Sequence, residues 1–252
     1  MIQVVDDMTA MREDWKIEVT RRYQQGECRS PIFRDVIQES IRQHGDRVLD
    51  IGCGHGFDDN AEMQQSIASL ASHFVGIEPD PEIQIPEYFN EVHHSVLEPA
   101  PLRKHSIDVA YSVFVLEHIK DADLFWQKID DVLAPGGVFW GFTVDGRHPF
   151  RMASDAMESI GVKDFYLNRI QGRRGEERYE NYPTWYRANT PRSIGKFTDR
   201  FATTSYLSLH RPGQLDYYFP QIVRPMTRTC EWLMMKARCP GSVLVVRAEK
   251  HK

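Results

Sequence analysis

Apolar and polar positions along this chain fall into short blocks whose spacing switches between helical and strand periods. Residues 9–26 are charged and polar and read as a helix that caps the domain. In "SPIFRDVIQESIRQHG", Phe33, Val36, Ile37 and Ile41 fall on one face of a second helix. Ser30 suits its N-cap, Pro31 its first helical position and Gly45 its stop. From there short apolar runs alternate with helical stretches. "RVLDIG" (47–52), "HFVGIEPD" (73–80), the weaker "EVHHSV" (91–96), "SIDVAYSVFV" (106–115) and "GVFWGFTV" (137–144) read as five strands. "AEMQQSIASLAS" (61–72) and "DADLFWQKIDDVLAPGG" are helices between them, the second closed by Pro135-Gly136-Gly137.

After Val144 the rhythm breaks. Gly146 to Gly195 shows no strong period, and a connection this long tends to be functional. A last helix is expected in "ANTPRSIGKFTDRF", then strands in "ATTSYLSLH" (202–210) and "GSVLVVRAEK" (241–250), with a second insertion, 211–240, between them. Strands separated by helices imply crossovers and a parallel sheet covered on both faces. The expected fold is α/β: a Rossmann-like, mostly parallel seven-stranded sheet in one domain over 1–252. Its parts are a helical cap (1–45), a core (46–145), an insertion over the substrate (146–195) and the terminal strands (196–252).

Composition narrows this picture. At 41% hydrophobic and 27% charged residues the chain is of ordinary globular type, and 252 residues suffice for a full core. A net charge of −5 supplies no basic field for nucleic acid. The four cysteines are scattered, with no zinc-type spacing, so reduced thiols and no metal are expected. No signal-like segment and no apolar run of membrane-spanning length occur in the sequence, and cytoplasm is the default expectation.

The chemistry concentrates in "VLDIGCGHGFDDN", Val48 to Asn60. A dinucleotide fingerprint needs G-x-G-x-x-G, yet here Gly56 comes one residue early and Phe57 stands in the third glycine's place. No Gly-Lys-Ser/Thr follows, which removes the Walker loop. Asp50, just before the glycines, would repel a pyrophosphate and suits a hydrogen bond or a cationic group. Glu78 ends the next strand 22 residues after Gly56, where a carboxylate accepts both hydroxyls of a ribose. A ligand with a ribose, a positive charge and no pyrophosphate fits these demands, and S-adenosyl-L-methionine (SAM) has all three properties.

Taken in order, "VLDIGCGHG", "FVGIEPD", "IDVAYSVFVLEHI" and "LAPGGVFW" resemble the successive motifs of class I SAM-dependent methyltransferases, nearest the small-molecule group that includes quinone-biosynthesis enzymes. The likeness spans about residues 30–145 and the last two strands. It implies that Asp50, Gly52, Cys53, Gly54 and Gly56 form the loop under the methionine part of SAM. Glu78 would bind the ribose, with Pro79 beside it. The family often has an Asp after the third strand; "HHSVLEPAP" has none, and Val96, Leu97 or Glu98 would supply the adenine wall and backbone contacts. Ser112 and Val113 would line the junction of cofactor and substrate.

The resemblance implies in-line attack by an O, N or C nucleophile on the SAM methyl carbon, so that positioning and desolvation carry much of the catalysis. Where the nucleophile is protonated a base is needed, and His118, His148 and Tyr186 are the candidates. The position after the fourth strand reads "YSVF", without the Asn/Asp-Pro-Pro-Tyr turn of nucleobase and protein-glutamine methyltransferases. A small-molecule acceptor is expected. Gly146 to Gly195 carries nine Lys/Arg against six Asp/Glu, so Arg151, Arg187 or Arg192 would pair an anionic group, with Tyr182 and Trp185 holding an apolar body. The chain is expected to be a monomer or homodimer. Two other readings stay open: a catalytically silent SAM-binding or scaffold protein, and an NAD(P)-dependent oxidoreductase, which Phe57 and Asp50 disfavour.

Overall fold

A computed structural model describes residues 14–149, 183–214, 216, 219 and 221–252. The elements in chain order are α1 (14–24), α2 (Arg29–His44), β1 (Arg47–Ile51), α3 (Ala61–Ala68), β2 (His73–Ile77), β3 (Glu91–His93) and β4 (Ile107–Val113). There follow α4 (Ala122–Val132), β5 (Leu133–Val144), α5 (Pro191–Ile194), β6 (Thr203–Leu209), α6 (Arg224–Lys236) and β7 (Val243–Glu249). They build one seven-stranded sheet in the order β3-β2-β1-β4-β5-β7-β6. The first five strands pair in parallel; β7 runs antiparallel to both β5 and β6. The order reverses between β1 and β4, and ligands of open α/β sheets bind at the carboxyl edge of such a switch point.

Apolar side chains cover both faces, as expected for a sheet with near-continuous apolar strands. One core lies under α4 and contains Leu49, Val75, Phe125, Trp126, Phe139 and Val246. The other lies under α1, α2 and α3, with Tyr23, Phe33, Ile37, Phe57, Trp140 and Val245. Phe33, Ile37 and Ile41 point inward from α2 as the periodicity predicts, while Val36 is half-buried against that core.

Three local expectations need correction. The N-cap of α2 is Cys28 rather than Ser30, because Ser30 and Arg29 spend their donors on the Asp58 carboxylate. Pro135-Gly136-Gly137 does not close α4: that helix ends at Val132 and β5 starts at Leu133, and the irregular register between Ile107 and Val109 accommodates the Pro-Gly-Gly. The last helix shrinks to Pro191–Ile194, opened by a Thr190/Ser193 capping box and stopped at Gly195; the rest of the expected stretch is drawn into turns that bury Phe201.

Helix α4 offers a direct check of this packing. Phe125 is fully buried whereas its neighbour Leu124 is 50% exposed. Phe125→Ala should therefore destabilise the protein by about 3–5 kcal/mol. Leu124→Ala should change stability by no more than about 0.5 kcal/mol in the same denaturant titration.

Candidate active site

The carboxyl ends of β1, β2 and β4 converge on the glycine turn. Gly52 and Gly56 have φ of +84° and +82°, values that favour glycine. The space is closed as well: a Cβ on Gly52 would lie 2.6 Å from Val115 Cγ2, and one on Gly56 2.7 Å from the Ala61 nitrogen. The Gly52 and Cys53 amides both donate to the Ile77 carbonyl (2.8 and 3.1 Å), which ties the turn to the end of β2.

Asp50 lies buried beneath this turn. Its Oδ2 accepts hydrogen bonds from Tyr111 Oη on β4 (2.6 Å) and Gln64 Nε2 on α3 (2.7 Å). Gln64 Nε2 also donates to the Cys53 carbonyl (2.9 Å), and its Oε1 accepts from Tyr88 Oη (2.5 Å). Burial pushes the Asp50 carboxyl up to about 7; the bonds from Tyr111 and Gln64 oppose that rise and the nearby Glu78 adds to it. Phe57 fills the space where a third fingerprint glycine would stand and packs edge-on against Tyr111, with ring centroids 5.5 Å apart.

Glu78 is also buried, and its two oxygens accept from the backbone N–H groups of Gly54 (3.0 Å) and Asp80 (2.9 Å). A side chain on Gly54 would collide with it, since a Cβ there would lie 2.5 Å from Glu78 Oε2. Cys53 is buried, and burial pushes its thiol well above the ordinary range, so it is no nucleophile. Near the end of β4 Ser112 is fully buried, with an Oγ that has no hydrogen-bond partner among the described residues, and Val113, the last residue of the strand, is half-buried beside it. Pro79 is exposed. Val96 is 52% exposed, whereas Leu97 belongs to the core under α4. Asp50, Gly52, Cys53, Gly54, Gly56, Glu78 and Ser112 are thus brought together, and Leu97 offers the edge its backbone but not its side chain.

The expected catalytic and substrate residues divide. His118 follows β4 in a short 3-10 turn, with Nδ1 3.3 Å from the Pro183 carbonyl. Tyr186 has φ of +49°, and its amide donates to the Glu117 carbonyl (3.1 Å). Trp185 is 40% exposed, with Lys120 and Arg187 over its ring, and Arg187 Nη1 donates to the Lys120 carbonyl (2.8 Å). Trp185 and Arg187 therefore sit on the outside of the β4–α4 connection. Arg151 and Tyr182 lie outside the described residues. His148 is 2% exposed, and burial followed by the neighbouring His210 lowers its pKa from 6.5.

Several site residues were not foreseen. A cavity of about 490 Å³ opens beside the glycine turn and is lined in part by Tyr23, Arg29, Asp58, Arg211, Gln214 and Ser242. It reaches from the far limb of the turn to the start of β7, across the carboxyl end of β4, where the Arg29 guanidinium lies 4.2 Å from the Phe114 ring centre. Arg211 packs on Tyr23 at 4.5 Å, and its Nη1 donates to the Glu27 carbonyl (2.6 Å). It forms no ion pair among the described residues. Gln214 links the cavity to the buried histidines: its Nε2 is 3.5 Å from His148 Nε2, and His148 and His210 rings lie 6.2 Å apart. Glu117 is buried under Thr143 Oγ1 (2.7 Å), and burial raises its pKa. Its only signal in the sequence is its place beside His118. Among the described residues, no group of three or more His, Cys, Asp or Glu could hold a metal ion.

Residues 21–192 match a family model described as a methyltransferase domain. A search of curated proteins finds no match. Among solved structures, an S-adenosylmethionine-dependent methyltransferase from Mesorhizobium loti is 18% identical, with a TM-score of 0.50 over 86% of this chain and 96% of its own. A SAM-dependent methyltransferase from Archaeoglobus fulgidus is 13% identical, with a TM-score of 0.51 over 91% and 97%. Phosphoethanolamine N-methyltransferase 2 from Haemonchus contortus, solved with S-adenosyl-L-methionine, is 14% identical, with a TM-score of 0.51 over 86% of this chain and 53% of its own. At these identities the likeness is one of fold.

The raised Asp50 pKa gives a pH prediction. The folded state holds the proton more tightly than the unfolded chain, whose Asp titrates near its ordinary value of 3.8. The Asp50 contribution to stability is therefore complete below that value and lost as pH rises through about 7. Denaturant unfolding of the ligand-free protein should lose stability between about pH 4 and about pH 8, and Asp50→Asn should flatten that slope. Equal slopes in the two proteins would contradict the assignment.

Proposed function

Because this chain belongs to the methyltransferase-domain family whose model it matches over residues 21–192, we propose that it transfers the methyl group of SAM to a small-molecule acceptor bearing an anionic group. The cofactor's part is the electrophile, a methyl carbon on a positively charged sulfur. The residues present fit it. Glu78 is a buried carboxylate at the place for a ribose diol, with Pro79 beside it, and the Gly54 N–H already directs one of its oxygens. Asp50, Gly52, Cys53, Gly54 and Gly56 make the turn for the methionine part, and two carboxylates around it favour a cation. Ser112, whose buried Oγ lacks a partner among the described residues, and Val113 border the same space. Val96 and the Leu97 backbone serve the adenine.

The observation that carries the acceptor assignment is the cavity of about 490 Å³ beside the turn. Its size suits a small organic molecule. Arg211, held by the Glu27 carbonyl and the Tyr23 ring, has N–H groups left for a carboxylate or phosphate. Arg187 is exposed and its Nη1 already donates to the Lys120 carbonyl, so Arg211 is the better anchor. His148 serves as the base for a protonated nucleophile: burial keeps its imidazole neutral at physiological pH, and Gln214, whose Nε2 now stands 3.5 Å from His148 Nε2, turns aside so that the nucleophile's proton passes to that nitrogen. Where the nucleophile is already unprotonated, the residues need only hold it in line and exclude water.

Transfer of labelled methyl groups from SAM to a panel of small carboxylate- and phosphate-bearing amines and phenols tests the reading. Glu78→Ala should abolish or strongly weaken SAM binding by calorimetry. Arg211→Met should leave SAM binding intact and raise the acceptor KM by about 10–100-fold, the loss of one charge-assisted contact. His148→Gln should lower kcat by about 10²-fold or more. It should also remove an acidic limb of the pH–rate profile that lies below 6.5. An unchanged KM in Arg211→Met would rule out the anion anchor.

A further inference from the structure

Helix α6 is inside out. A surface helix in a globular protein turns its apolar stripe toward the core. Here the one fully buried residue of α6 is Glu231, 1% exposed, which accepts a hydrogen bond from the Gly213 amide. Arg224 faces the same side, its Nε donating to the Phe219 carbonyl (3.2 Å). Met226, Cys230 and Leu233 follow one another at helical spacing on the opposite, outward face. Met226 is 64% exposed, Leu233 55% and Trp232 47%, and Ile222 in the preceding 3-10 turn is 88% exposed.

The charge around this face is basic. Residues 211–240 hold five Lys/Arg against two Asp/Glu, in a chain whose net charge is −5. Of the two acids, Glu231 is buried and Asp216 pairs with Arg228. Lys236 lies over the Trp232 ring at 5.5 Å, and neither it nor Arg238 forms an ion pair among the described residues. A second copy of the chain is a poor occupant for this face. Lys236 and Arg238 at the C-terminal end of α6 would meet their own copies in a parallel two-fold pairing, and in an antiparallel one they find no free carboxylate on the helix or just before it, since Glu231 is buried and Asp216 is taken by Arg228. An anionic bilayer matches both features. Met226, Leu233 and Ile222 enter the acyl boundary, Trp232 sits at the headgroup level, and Lys236 and Arg238 reach the lipid phosphates.

We infer that α6 is a membrane-surface anchor that docks this protein on anionic lipid. The helix belongs to the connection between β6 and β7, and both ends of that connection, Arg211 and Gln214 on one side and Ser242 on the other, line the cavity. Docking by α6 would bring the cavity close to the bilayer. The inference is independent of the acceptor assignment.

Flotation of the full chain with phosphatidylcholine vesicles, with and without about one-third phosphatidylserine, tests it. Binding should be about tenfold or more stronger with phosphatidylserine and should weaken as salt rises toward ~0.5 M. Trp232→Ser combined with Leu233→Ser should lose about tenfold in binding, while circular dichroism and S-adenosylhomocysteine affinity stay unchanged. Lys236→Glu with Arg238→Glu should abolish the preference for phosphatidylserine. No binding, equal binding to both vesicle types, or binding untouched by the serine pair would overturn the inference. A lipid-free dimer that the serine pair dissociates would make a second copy the occupant and overturn it too.

Discussion

A carboxylate buried at the carboxyl end of a central strand is the constraint on which the site depends. Asp50 leaves water and must find donors inside the protein, because an unpaired buried charge is too costly to keep. Tyr111 and Gln64 supply them, from β4 and α3. Gln64 then secures the Cys53 carbonyl and Tyr88. One side chain thus fixes the spacing of two neighbouring strands, the seat of a helix and the path of the glycine turn. Glu78 repeats the device on the next strand through the Gly54 amide. Two carboxylates stand close enough that one raises the pKa of the other, which on the proposed reading suits a cationic guest better than a phosphate.

The carboxylate and its turn were legible in the sequence because they are local, whereas the donors Tyr111 and Gln64 come from other elements and were not. The strand "RVLDI", the turn glycines and the next strand ending on Glu78 lie within a few dozen residues, and their spacing alone separates this turn from a dinucleotide loop. Helix faces such as Phe33, Ile37 and Ile41 were legible for the same reason. What the sequence hid is tertiary. Nothing near Arg211, Gln214 or Ser242 signals that they meet Tyr23 and Asp58 around one cavity. The start of β5 at Leu133 was hidden because a Pro-Gly-Gly normally ends a helix, and only pairing with Ile107 recruits it into the sheet. Trp185 and Arg187 resembled pocket residues by type, but the Trp185 amide is tied to the Glu117 carbonyl and the Arg187 guanidinium to the Lys120 carbonyl, and both side chains are exposed.

The two ends of the chain bear on the same edge of the sheet. Helices α1 and α2 contribute Tyr23 and Arg29, and the β6–β7 connection contributes Arg211, Gln214 and Ser242. On the proposed reading the turn and the flanking segments have different tasks: the turn holds the cofactor, and the flanking segments shape the acceptor space. Glu117, Thr143 and Asn189 join the 3-10 turn after β4 to β5 and to the segment before α5.

The central claim is that the turn built on Asp50 and closed by Glu78 accepts an S-adenosyl nucleoside and not a dinucleotide. Thermal unfolding of the wild-type protein with saturating S-adenosylhomocysteine, and separately with NAD, measures this most directly. A ligand at about 100 times its Kd adds about 2.7 kcal/mol to the folded state, a shift of several degrees. The account predicts that shift with S-adenosylhomocysteine and none with NAD; a shift with NAD alone would contradict it.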